Sequence, residues 1–370
     1  MSVFRQSRHP LVRWWWEMDR MMLLLLLALF VFGGIAVSTA SIAVAKTYGV
    51  GPYYFAFKQY IFLFVSMVVM VCLTALRPRG VQRVGWIFLV VALAAVALTL
   101  VTGVDVKGAT RWITVAGQTV QPSEFLKPAF ILATASLLSA VDTGARQRGF
   151  LLACGLMGGV AFLLLQQPDV GMVMLLGLVW ASQVFLSGIS ILWLAPLSLL
   201  GLVLGVGSYI TFDHVQSRVA RFLNPEGTDT YQVDQAREAI LTGHLFGRGA
   251  GEGVVKHTLP DAHTDFIFAV LAEEFGIIIC LLLLLIYFFI VFRGFYCLMH
   301  QDNRFSFIAL GGLLTLLALQ VMINIAVALH IVPTTGMTLP FISYGGSATL
   351  GMAISMGFVL ALLRRRQLRL

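Results

Sequence analysis

Apolar residues in this chain come in runs too long for a soluble fold. Ten stretches approach or exceed the roughly 20 residues that cross a bilayer as a helix. They are 21–44, 57–76, 86–103, 124–141, 150–167, 170–187, 190–212, 264–292, 305–331 and 346–363. The expected fold is an all-α integral membrane protein of about ten transmembrane helices. A tight turn, Gln167-Pro168-Asp169-Val170, separates the fifth and sixth runs. The run from Met21 to Val44 is longer than the roughly 7–15 apolar residues of a signal peptide and reads as a retained first helix.

The polar positions give the orientation. Arg5, Arg8, Arg13 and Arg20 precede the first run, and Arg77, Arg79 and Arg83 follow the second. Arg146 and Arg148, Arg293 and Arg304, then Arg364, Arg365, Arg366 and Arg369 fall on the same side if the runs alternate. The positive-inside rule places that side, and both termini, in the cytoplasm. The expected organisation is a cytoplasmic segment at 1–20, one polytopic domain at 21–363 and a basic tail at 364–370. On the outer side, residues 104–123 form one loop and 213–263 a much longer one, and long structured loops usually carry function.

Composition agrees. The 370 residues are 59% hydrophobic and 11% charged, against roughly 25% charged in soluble domains. The net charge of +8 is accounted for by topology, and without a basic stripe interleaved with aromatics no nucleic-acid partner is expected. Cys72, Cys154, Cys280 and Cys297 have no metal-ligand spacing and read as small packing residues.

Ionisable groups at membrane depth cost several kcal/mol and mark function or an internal pair. Three clusters stand out. In Gln121-Pro122-Ser123-Glu124-Phe125-Leu126-Lys127, Pro122 suits a first helical position, and Glu124 and Lys127 are i,i+3 neighbours. They are either a self-neutralising pair or part of a polar cavity open to the outer face. Arg111 and Trp112 lie just upstream in an interfacial loop. In Asp261-Ala262-His263-Thr264-Asp265, Thr264 or Asp265 could cap the following helix, yet capping needs only one such residue. Glu273 and Glu274 follow. At 100° per residue, Glu273 is the one expected to share a cavity with Asp265, in a supporting role. Third, Val332–Ser347 is apolar but broken by Pro333, Pro340, Gly336, Gly345 and Gly346. Irregular backbone at this depth survives only when packed in protein or facing water, so a re-entrant segment near the outer face is expected. Three outer-facing clusters could form one site for an amphiphile with a lipid tail and a charged head.

In this order the clusters, with Glu273-Glu274-Phe275-Gly276 and Pro340-Phe341-Ile342-Ser343-Tyr344-Gly345-Gly346-Ser347, strongly resemble the SEDS family of shape, elongation, division and sporulation proteins, over about residues 20–363. Thr334–Pro340 resembles the division branch more than the elongation branch. The resemblance implies an inverting peptidoglycan glycosyltransferase that polymerises lipid II at the outer face of the cytoplasmic membrane, at the division septum. It implies a class B penicillin-binding protein and other divisome membrane proteins as partners. It puts the essential aspartate at Asp265 and places Arg111, Trp112, Glu124 and Lys127 in the substrate cavity. A positioned carboxylate can take the acceptor hydroxyl's proton. Arg111, Lys127, Arg218, Arg221 and Lys256 are candidates to meet the departing diphosphate, with His263 beside them and Gln121, Ser123, Thr264 and Glu273 as supports. A divalent cation (Mg or Mn) could share the charge work. The residues would equally serve a flippase for the lipid-linked precursor, and a non-catalytic division scaffold remains an alternative.

Overall fold

The computed structural model describes residues 10–106, 109–115, 117–140, 143–189, 205–207, 209–210, 216–217, 219–220 and 231–364. A short helix, α1 (Pro10–Glu17), precedes α2 (Arg20–Thr47), α3 (Tyr54–Leu73) and α4 (Pro78–Thr102). Strands β1 (Val104–Val106), β2 (Ala109–Val115) and β3 (Gln118–Val120) follow. Then come α5 (Pro122–Leu138), α6 (Thr143–Gln166), α7 (Val170–Leu186), α8 (Tyr231–Gly243), α9 (Ile267–Leu298), α10 (Arg304–Ala328) and α11 (Gly346–Leu363). Seven of these helices are long and apolar enough to cross a membrane, and α7 is a shorter apolar helix. The chain is an all-α multi-pass membrane protein. Most of the expected span 190–212 lies outside the described residues.

Two elements depart from the expectation. The outer loop 104–123 is a small antiparallel sheet in the order β1-β2-β3, with Ile113 opposite Val120 and Val115 opposite Gln118. The N-terminal segment holds α1, whose Trp15 and Trp16 are exposed and carry Arg20 against their rings. That is the form of an interfacial aromatic anchor.

Burial sorts the helices. Only 28% of the apolar window is buried in α3, α4 and α9, against 67% in α10 and 78% in α11. The first three offer broad faces to lipid, whereas α10 and α11 form the interior. Helix α5 joins them, with Ala129 through Ala133 fully buried in sequence and therefore on every face.

Contacts between distant segments respect the expected alternation. At the basic end, Arg293 pairs with Asp19 at 2.8 Å and Arg364 with Glu17 at 2.7 Å. Arg146 and Arg304 both donate to the Ser187 carbonyl at that end. The starts of α5, α9 and α11, beside which the three polar clusters lie, are at the opposite end.

Helix α9 breaks at Gly276, at φ 80° and ψ 172°. The long outer loop satisfies the backbone groups freed there. Arg248 and Gly249 donate their N–H groups to the carbonyls of Glu273 and Glu274. Ile277 and Ile278 donate to those of His244 and Leu245. The approach is so close that a Cβ on Gly243 would lie 1.8 Å from the Ala272 oxygen. Gly243→Ala is therefore expected to destabilise by about 1–3 kcal/mol through overpacking against backbone. Gly155→Ala, where a Cβ meets nothing within 4 Å, should be neutral or slightly stabilising. Thermal unfolding of the two variants in one detergent measures the contrast.

Candidate functional site

Helix α5 starts as its sequence demands. Pro122 occupies the first turn, where a missing N–H costs nothing, and Gln121 is the N-cap residue without a side-chain cap. The Gln121 N–H donates instead to Ser347 Oγ at 3.1 Å, tying the start of α5 to the start of α11. Its side-chain amide donates to Ser123 Oγ at 3.2 Å. One turn in, Lys127 Nζ lies 2.6 Å from a Glu124 oxygen, with the two residues 2% and 7% exposed. Lys127 also donates to Gln320 Oε1 at 3.0 Å. The cation at this depth is thus held by a charge and an amide, as burial requires.

The second cluster is a turn rather than the first turn of a helix. Thr264 donates from both N and Oγ1 to the Asp261 carbonyl. The N-cap of α9 falls to Phe266, which makes no side-chain cap bond. Asp265 therefore lies one residue before the N-cap position. Its backbone carbonyl accepts from Asn324 Nδ2 at 3.0 Å. Its carboxylate points toward Gly336, where a Cβ would come within 3.9 Å of Oδ2. Beside it, the buried His263 ring packs against Phe55 and Tyr344, with centroids 5.3 and 5.2 Å away. Burial pushes the His263 pKa down to about 4, against a smaller upward pull from Asp261. At neutral pH the ring is uncharged, so His263 adds a dipole to the site and no cation.

The segment between α10 and α11 packs under both clusters. Ser343 Oγ donates to the Thr264 carbonyl at 2.6 Å and accepts from the Leu339 N–H at 2.8 Å. The Tyr344 N–H donates to the His263 carbonyl at 2.8 Å. Gln59 of α3 donates to the Ser343 carbonyl and accepts from the Gly345 N–H. Tyr287 of α9 donates to the Pro340 carbonyl. This irregular backbone has its polar groups met by side chains, which is the condition for placing it at membrane depth.

Arg111 on β2 reaches the turn between α6 and α7. It lies 3.4 Å from Asp169 and donates to the carbonyls of Gln167 and Pro168. The same turn borders the irregular segment, since a Cβ on Gly171 would meet Thr335 O and Met337 Cε at 3.5 Å each. Arg111 is therefore anchored two residues from a point of contact with that segment. Trp112 is half-buried next to it on β2, opposite Val104.

Two expectations change. Lys256 is not free in its loop but held in a buried ion pair, as Lys127 is. It is 2% exposed, 2.5 Å from Glu274, and donates to the Gly251 carbonyl. The buried Glu274 needs a counter-charge, and Lys256 supplies it. Glu273 does not share the Asp265 cavity by helical phase. One of its oxygens takes the N–H groups of Val254 and Val255 at 2.7 and 2.9 Å, pinning the long loop. The angular count fails because residues 261–266 are not helical. Arg218 and Arg221 lie outside the described residues. Among the described residues no group of three or more His, Cys, Asp or Glu side chains is arranged to hold a metal ion.

Three residues of the site were missed: Gln59, Gln320 and Asn324. Each is a side-chain amide in an apolar span, two of them four residues apart in one span, and that oddity was the available signal. The assembled site joins one carboxylate on a turn, a buried ion pair on α5 and an anchored arginine around a shared backbone segment. It brings the Asp265 turn and the paired Lys127 to one backbone segment.

The chain matches the model of a family of cell cycle proteins that takes in FtsW, RodA and SpoVE, over residues 19–368. It is 41% identical over 364 residues to a probable peptidoglycan glycosyltransferase FtsW of Caulobacter vibrioides, covering 98% of this chain and 93% of that one. It is 32% identical to the protein of the same description from Escherichia coli O6:H1, covering 92% and 85%. A solved chain from a study of how a peptidoglycan synthase complex coordinates polymerization and crosslinking superimposes with a TM-score of 0.76, at 27% identity, over 94% of this chain and 98% of that one. The rod shape determining protein RodA of Thermus thermophilus shares the fold, with a TM-score of 0.69 at 24% identity, over 95% and 98%. The chain is a member of the FtsW, RodA and SpoVE family.

Proposed function

We propose that the chain is an inverting peptidoglycan glycosyltransferase that polymerises lipid II at the outer face of the cytoplasmic membrane, for septal wall synthesis. Family membership and the descriptions of its FtsW relatives support the activity. The observation that carries the site is the convergence of the Asp265 turn and the Glu124/Lys127 helix on one backbone segment, residues 334–347. Asp265 takes the proton of the acceptor's 4-hydroxyl as that oxygen attacks the donor's anomeric carbon. The bond from that carbon to the diphosphate breaks, and its electron pair leaves with the polyprenyl diphosphate. An α-linked donor and a β-linked product mean one inversion, so a single base suffices and no covalent intermediate forms. Lys127, with Arg111 at the rim, stabilises the departing charge in a water-poor site, where such terms are large. No protein-built metal site is assigned. A divalent cation, if used, would add positive charge at the same diphosphate.

The chain works with a class B penicillin-binding protein that supplies the crosslinking step. Likeness to a chain from a synthase complex supports that pairing. The test is polymerisation of lipid II in detergent by the chain purified with its partner. Detergent abolishes sidedness, so glycan polymer formed there cannot arise from flipping. Polymer that depends on this chain is the expected result. Intact complex that binds lipid II and makes no polymer would overturn the reading in favour of a flippase or a scaffold.

A further inference from the structure

Gln320 and Asn324 lie four residues apart on α10, hence on one face, and are 2% and 1% exposed. Asn324 Nδ2 donates to two carbonyls, Asp265 at 3.0 Å and Met337 at 2.7 Å. Gln320 accepts from Lys127 at 3.0 Å and donates to the Thr338 carbonyl at 3.2 Å. The two amides therefore hold consecutive carbonyls of the irregular segment. With their remaining bonds they hold the turn of one proposed reacting group and the side chain of the other.

A packing role alone accounts for half of this pattern. Carbonyls in a segment without helix need donors, and any buried donor would serve. It does not account for the same two side chains also ending on Asp265 and Lys127. Gly336 adds to the case. Asp265 Oδ2 approaches it from one side, and the next carbonyl along the chain, Met337, shares Asn324 with the Asp265 carbonyl. The turn that carries Asp265 and the backbone beneath its carboxylate are thus fixed to each other through one side chain.

We propose that Asn324 and Gln320 are positioning residues for glycosyl transfer, Asn324 setting the Asp265 turn and Gln320 setting Lys127. This rests on the reading of Asp265 as base and Lys127 as diphosphate contact. The two positions differ in what they should change. A base displaced by about 1 Å costs on the order of 100-fold in rate while leaving substrate binding alone. A cation robbed of its fixing hydrogen bond weakens its hold on the diphosphate.

The experiment compares steady-state polymerisation by the complex carrying Asn324→Leu or Gln320→Met, both close in volume to the parent residue. Asn324→Leu is expected to lower kcat by at least about 10-fold with KM within roughly 3-fold. Gln320→Met is expected to raise KM by roughly 10-fold with a smaller change in kcat. Asn324→Ser, which keeps one donor, should fall between parent and Asn324→Leu, and it serves as the test if the leucine variant does not fold. Parental kcat in a folded Asn324 variant overturns the proposal. So does a fall in kcat, affinity and melting temperature in step at both positions, which is the mark of a packing role. Asp265→Asn is assayed alongside. If it stays active, the base reading itself has failed. If it is inactive while Asn324→Leu runs at the parental rate, only the positioning role has failed.

Discussion

Asp265→Asn is expected to abolish polymerisation in a protein that remains folded, inserted in the membrane and bound to its partner. Asparagine keeps the size and the backbone carbonyl, so the bond from Asn324 survives. It cannot accept a proton at neutral pH. Loss of a general base lowers the rate by at least about 100-fold. A capping role would cost only about 1 kcal/mol, most of which asparagine retains, and the N-cap of α9 is Phe266 in any case. Glycan made from lipid II, resolved by length on a gel, gives the rate. Melting temperature and copurification with the partner report integrity. A variant within a few-fold of the parent would remove Asp265 from the base role and make Glu124 the next carboxylate to test.

Lys127→Met should do more damage to the fold than any other single change to the site. It leaves Glu124 buried at 7% exposure without its cation and deprives Gln320 of its donor. Breaking one side of a buried pair costs roughly 3–5 kcal/mol. Adding Glu124→Gln removes the stranded charge, and the double variant should regain most of the lost melting temperature. If Lys127 meets the diphosphate, that refolded variant stays inactive. Rescue of both stability and polymerisation would show that the pair serves only to let α5 into the membrane.

The path through the bilayer was legible in the runs of apolar residues because lipid imposes one rule on every span. Ends were harder. Helix α4 begins at Pro78, eight residues before the expected apolar run, because Pro78-Arg79-Gly80 folds as a polar first turn beyond the hydrocarbon. The sheet at 104–120 was invisible, since two of its strands are three residues long and show no period. Within the site, the three motifs were readable as expensive residues in odd places. Their mutual contacts were not, because they run through Ser343, Ser347, Gln320 and Asn324, uncharged polar residues whose partners lie in other elements. Lys256 misled for a related reason: it looked like a free cation in a loop, and only the fold shows that Glu274 claims it.

The Glu124/Lys127 pair also bears on how such a site can be made. The ties that join α5 to the rest of the site are long in sequence. Lys127 meets Gln320 across 193 positions, and Gln121 meets Ser347 across 226. Chains grow at roughly 5–20 residues per second, so α5 enters the membrane tens of seconds before those partners are synthesised. During that interval Lys127 has one stabilising neighbour that is already present, the glutamate three residues before it. The spacing of the pair lets a helix with two charges wait in lipid for the rest of its site to arrive.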